Sequence, residues 1–221
     1  TQNDVVVFTG GTEIVRLQRA GHLETLLTNR FKHALPRFRD LAWDADTVFF
    51  QGTVDGQWRK KGHFDDLQAF GDWETQLKRV EATVIIAQFG TMESLAGPEG
   101  LQEFIGAYNR LLDDFVTVTQ RIILISPAPF EASLRAHNEN LALYIDATRQ
   151  LAIERQCTFV DLAQTPVPQR TNNGWQTKAD RMPEIQSAIA EQLGLDAHHL
   201  TGLEPLRLAV VEKHRLWIDY W

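Results

Sequence analysis

A three-layer α/β/α domain on a five-stranded parallel sheet is what this 221-residue sequence predicts, on three observations. Short β-branched and aromatic runs alternate with segments of helical period. Three of those runs are almost wholly apolar, as strands covered by helices on both faces must be. Nothing repeats at a fixed period, and no low-complexity linker divides the chain. Strand–helix alternation calls for right-handed crossovers, which make the strands parallel and place helices on both sides of them. A single domain over residues 1–221 follows.

The strand candidates are residues 5–8, 38–43, 84–89, 122–125 and 159–162. The first, third and fourth are the apolar ones; the second and fifth carry more polar residues and suit the sheet edges. Between them, Phe104, Ile105, Tyr108, Leu111, Leu112 and Phe115 recur at three- and four-residue spacing and define the buried face of a helix over 103–118. Leu141, Tyr144, Ile145, Leu151 and Ala152 do the same after Asn138. Ile14, Leu17, Leu23, Leu27 and Phe31 mark the first helix less regularly, with Gly21 inside it. Pro183 opens a later helix that Gly194 closes, and a last one starts near Pro205. The stretch 51–73, with four glycines, reads as a long loop, equally a ligand-meeting loop at the carboxyl edge of the sheet or a plain surface excursion.

With 43% hydrophobic residues the chain can bury a full core. A net charge of −7 argues against a nucleic-acid binder, which needs clustered Lys and Arg; Arg59-Lys60-Lys61 reads as a solvated loop. No apolar run approaches the ~20 residues of a membrane span. Cys157 is alone, which excludes an internal disulfide or a cysteine-based zinc site. There is no Gly-x-Gly-x-x-Gly, Walker loop or His-Glu-x-x-His, so no cofactor is implied. The chain opens on Thr1 without Met, shows no signal peptide and closes on Trp217-Ile218-Asp219-Tyr220-Trp221. It therefore reads as a piece of a longer protein, with other domains or subunits as its partners.

In such a sheet the reacting groups stand on the loops after the strands. After the first comes Gly10-Gly11-Thr12-Glu13, after the second Trp43-Asp44-Ala45-Asp46-Thr47-Val48, and after the third Gly90-Thr91-Met92-Glu93-Ser94. Later the chain reads Thr171-Asn172-Asn173-Gly174-Trp175-Gln176. In order and strand context these segments resemble the conserved blocks of the SGNH (GDSL) hydrolases, in the form taken by one extracytoplasmic bacterial branch. The resemblance implies a flavodoxin-like SGNH fold with sheet order 2-1-3-4-5 and an extracytoplasmic setting. It also implies an esterase whose reactive positions are substituted. The serine nucleophile falls on Thr12, the oxyanion glycine on Ala45 and the oxyanion asparagine on Met92. The aspartate and histidine of the last block fall on Asn172 and Gln176. Glutamine does not titrate near neutrality and cannot serve as base; Met92 has no donor.

The residues also admit other readings. Thr12 suits the N-cap of the first helix, and Glu13 and Glu93 suit first turns, where carboxylates complement the helix dipole. Asp196-Ala197-His198-His199 contains a literal Asp-x-x-His, so Asp196 and His199 form an alternative dyad, though they follow the helix that the family's block precedes. Gly10-Gly11 resembles a phosphate-cradling turn but lacks a following Lys. Trp58, Trp175 and Glu93 are candidate ligand contacts, the tryptophans as stacking surfaces for a sugar; Trp43 is expected in the core. The leading expectation is a non-catalytic binding or assembly module, with a carbohydrate or an ester as ligand. The alternatives are an acyl-ester or carbohydrate-ester hydrolase using Thr12 with His199, and, on sheet type alone, a nucleotide-binding module.

Overall fold

The computed structural model describes residues 1–49, 53–54, 57–58, 73–165, 167–196 and 202–220. In chain order the elements are β1 (Val5–Gly10), α1 (Thr12–Ala20), α2 (His22–Arg30), β2 (Arg37–Asp40), a short hairpin of β3 (Thr53–Val54) and β4 (Gln57–Trp58), α3 (Trp73–Arg79), β5 (Val84–Gln88), α4 (Leu101–Val116), β6 (Ile122–Ile125), α5 (Asn138–Glu154), β7 (Thr158–Val160), α6 (Met182–Gln192) and α7 (Glu204–Tyr220). Five strands form one sheet in the order β2-β1-β5-β6-β7, and every pairing in it is parallel. With the hairpin set aside this is the order 2-1-3-4-5.

Successive residues of a strand face opposite sides of the sheet, so the apolar runs feed two cores at once. Val7, Ile85 and Leu124 face one layer, with Tyr108, Leu112 and Phe115 of α4 and Tyr144 and Leu151 of α5. Val6, Phe8 and Ile86 face the other, with Ile14 of α1, Leu23 of α2 and Ile185 and Ile189 of α6. Within the first layer Phe104, Tyr108 and Phe89 make edge-on ring contacts at 5.6 Å.

Most boundaries shift by one or two residues from the sequence expectation, and three of the differences have a clear local cause. The first helix is two helices, because Gly21 adopts a left-handed conformation (φ 74°) that ends α1 and starts α2. A Cβ there would lie 3.0 Å from the Val211 side chain, so the break also lets α7 approach α1 and α2 closely. The second strand stops at Asp40, whose carboxylate accepts the Ala42 N–H at 3.0 Å and turns the chain; Trp43 ends up half-buried rather than in the core. The last strand stops at Val160, since Asp161 caps a short 3-10 turn by accepting the Ala163 N–H.

Helix α7 is anchored through a buried acid. Glu24 of α2 is 4% exposed and His214 3% exposed, with the imidazole Nε2 2.9 Å from the carboxylate. Lys213 pairs with the other carboxylate oxygen. Burial works to raise the Glu24 pKa, but His214 and Lys213 outweigh it, and the carboxyl is held below its ordinary value.

Candidate functional site

The carboxyl end of β1 meets that of β5 at glycine-only distance. A Cβ on Gly10, whose φ is +140°, would lie 2.4 Å from the Gln88 carbonyl oxygen. One on Gly11 would lie 2.8 Å from the Asp46 carbonyl oxygen. Steric contact with the end of β5 and with the loop after β2 thus accounts for the Gly10-Gly11 pair without a phosphate.

Gly11, not Thr12, is the N-cap of α1; its carbonyl accepts the N–H groups of Ile14 and Val15. The expected capping role of Thr12 is therefore corrected. As the first helical residue it turns its hydroxyl toward the next loop, where Oγ1 accepts the Ala45 N–H at 2.9 Å. Ala45 itself is left-handed (φ 63°), so the loop keeps a glycine's backbone geometry, at a cost of roughly 1–2 kcal/mol for the Cβ.

Glu93 ties the loops after β2 and β5 together. Its carboxylate accepts the Val48 N–H at 3.0 Å and the Gly90 N–H at 2.9 Å. Burial raises its pKa, against the pull of those hydrogen bonds. It does lie in the first turn of a short 3-10 helix, Glu93–Ala96, but its side chain works as a clamp between loops. Met92 beside it is 38% exposed at the rim.

The segment 170–177 is fastened by three residues that sequence reasoning passed over. Arg170 is 3% exposed. Its guanidinium donates to the carbonyls of Pro129 and Trp175 and to Thr177 Oγ1, and stands 3.6 Å from Glu13. Burial lowers the Arg170 pKa, and the carboxylates of Glu13 and Glu131 oppose that. Glu131 accepts from the N–H groups of Arg170 and Thr171 and from the Thr171 hydroxyl. Thr177 gives its N–H and its hydroxyl to Glu13, at 3.1 and 2.6 Å. Glu13 is thus in the first turn of α1 as expected, and it also holds the last block against that helix. An arginine between Gln169 and Thr171 carries no sequence signal of burial; only the fold supplies its partners.

Inside this fastening, Thr171 and Thr177 form an isolated antiparallel bridge. The enclosed turn is stabilised by Asn173, whose Oδ1 accepts the N–H groups of Trp175 and Gln176. Gln176 Oε1 accepts from Asn173 Nδ2 at 2.9 Å. Asn172 is exposed.

Thr12, Glu13, Asp46, Met92, Glu93 and Trp175 line one cavity of about 20 Å³, space for about one water molecule. Thr12 and Ala45 are thus in direct contact and Met92 shares their cavity. From the last block it is Trp175, not Gln176, that lines it. Asp196 is exposed. His198, His199 and the Trp58 side chain lie outside the described residues. Among the described residues no three His, Cys, Asp or Glu side chains converge as metal ligands would.

No protein-family model matches the sequence, and no curated protein does. Solved structures do. LAE5, an α/β hydrolase from the metagenome of Lake Arreo, superposes with a TM-score of 0.64 at 14% identity over 88% of this chain and 96% of its own. Axe2, an acetylxylan esterase from Geobacillus stearothermophilus, gives 0.66 at 14% identity over 89% and 96%. BT4096, a gut microbial diltiazem-metabolizing enzyme, gives 0.63 at 15% identity over 87% of this chain and 47% of its own. The chain has the α/β fold of these hydrolases.

Proposed function

We propose that this chain is a binding or assembly module of SGNH type whose hydrolase site has lost its ester-cleaving chemistry. The observation that carries the reading is the absence of any titratable base at the last block. In that turn Gln176 stands where the family resemblance implies the histidine, and its amide is engaged by Asn173. A Thr12 hydroxyl that no base deprotonates stays a neutral alcohol. Loss of the base lowers turnover by ~10²–10⁴, and loss of the amide donor at Met92 lowers it by a further ~10²–10³. The retained polar groups, Thr12, Glu13 and Glu93, line with Trp175 a recess that admits about one water, so a carbohydrate or acyl ester as ligand is met at its mouth and not enclosed by it. The extracytoplasmic setting of the resembling branch fits that role.

Short p-nitrophenyl esters and acetylated sugars assayed with wild type and Thr12→Ala should give equal, near-background rates. A wild-type rate that collapses in Thr12→Ala would overturn the reading. If His199→Ala collapsed it as well, Asp196 and His199 would be the working dyad.

A further inference from the structure

Helix α7 lies across the junction of α1 and α2, and charge holds it there more than apolar surface does. Among its described side chains only Val210 and His214 are buried, one apolar and one titratable. Leu206 and Val211 are half-buried, while Leu208 and Leu216 face solvent. By contrast α6, a shorter helix, buries Met182, Ile185, Ala188, Ile189 and Ala190. A segment with few buried apolar contacts opens at a lower free energy than the whole domain.

Two polar clusters fasten the seam. At the start of α7 the Arg207 guanidinium donates to the Ala20 carbonyl at 3.0 Å and pairs with Glu204 at 2.6 Å, with His22 facing both. Further along, the Glu24 carboxylate takes Lys213 on one oxygen and stands 2.9 Å from His214 Nε2 with the other. Arg39 and Asp40 of β2 face Lys213 as well. Burial, and after it Arg207, hold the His22 imidazole below its ordinary 6.5, against the pull of Glu204. The hydrogen bond from Arg207 holds Glu204 below its ordinary 4.5, and Glu24 is depressed as described above.

We propose that α7 is an acid-released strap, which lifts from the α1–α2 junction as one unit on mild acidification while the parallel sheet stays folded. The signs at the seam agree. Once α7 lifts, His22 loses Arg207 and its cover, so the lifted state takes up the imidazole proton more readily and is favoured as pH falls below 6.5. Glu24 and Glu204 are also protonated more readily once their cations have left, which carries the release on below 4.5. Burial lowers the Lys213 pKa from 10.5, so lifting raises it, and that change acts only on the alkaline side. The strap is independent of the esterase-like cleft and does not depend on whether that cleft is catalytic.

Amide exchange of the intact chain, read by mass spectrometry from about pH 7.5 down to about pH 4.5 with labelling times scaled to the intrinsic rate, tests it. Protection across residues 206–216 should fall several-fold as the pH drops, while the amides of β1 and β5 keep theirs. His22→Gln, which cannot take the proton, should abolish the part of that loss above about pH 5 and leave the carboxylate part below it. Protection of α7 that does not change with pH overturns the proposal. So does a loss that α7 and β1 share at every pH, or an unaltered profile in a folded His22→Gln. If His22→Gln fails to fold, titration of the His22 ring protons by nuclear magnetic resonance decides the matter. A midpoint below the ordinary value that coincides with the loss of α7 protection supports the strap, and one at or above that value overturns it.

Discussion

Replacing Glu24 by alanine isolates what holds the last helix on the domain. In the folded protein the Glu24 carboxylate is 4% exposed and lies between Lys213 and His214, so its removal leaves a half-buried ammonium without its counter-charge and a buried imidazole without its neighbour. Removing one partner of a buried pair costs about 3–5 kcal/mol. For a domain of this size 1 kcal/mol moves the melting temperature by about 2–4 °C, so Glu24→Ala should melt about 6–20 °C below wild type. The pH dependence has a definite sign. The Glu24 pKa is depressed by folding from its ordinary 4.5, so its contribution is complete above that value and fades as pH falls through the lower folded value. The gap between wild type and Glu24→Ala should therefore be constant from pH 6 to 8 and narrow below about pH 4. Melts followed by far-ultraviolet circular dichroism, with amide exchange along α7, provide the readout. A melting temperature within 2 °C of wild type at pH 7, or a gap that widens in acid, would refute the anchoring argument.

Gly174→Ala should cost about 1–3 kcal/mol, because φ there is +95° and the new Cβ would lie 2.8 Å from the Glu131 carbonyl oxygen; chemical denaturation measures it. Thr12→Ser should leave ester turnover at background, since a better nucleophile without a base gains little. Recovery of activity in that single variant would show that a base is present after all.

The fold was legible because its signals are local and repeated: apolar runs of strand length, three- and four-residue helical spacing, and glycines where loops crowd. The order of the strands came with the family resemblance, not from any residue pattern. What stayed hidden was long-range. Gly21 inside a run of helical residues looks like a tolerated defect until α7 is placed against it. Arg170 and Glu131 look like surface charges until the fold puts 39 positions of chain between partners in one hydrogen-bond network. Thr12 reads as a cap because caps are a property of neighbours in sequence, whereas its actual partner, Ala45, lies 33 residues away. In the last block, counting residues picked out Gln176, but the isolated bridge between Thr171 and Thr177 turns Trp175 toward the cavity instead.

The parallel pairing of β1 with β5 runs from Val6 opposite Val84 to Gly10 opposite Gln88. At the first end of that ladder Val6 and Val84 line an apolar hollow at the amino ends of the strands, and at the last Gln88 borders the cavity around Thr12. Four steps at ~3.3 Å separate the two mouths by about 13 Å, a span of covalent chain and cross-strand bonds that neither stretches nor slips by a fraction of a residue. A slip of one residue would exchange the two faces of the sheet. The strands therefore hold the two ends of the sheet at a fixed distance and register.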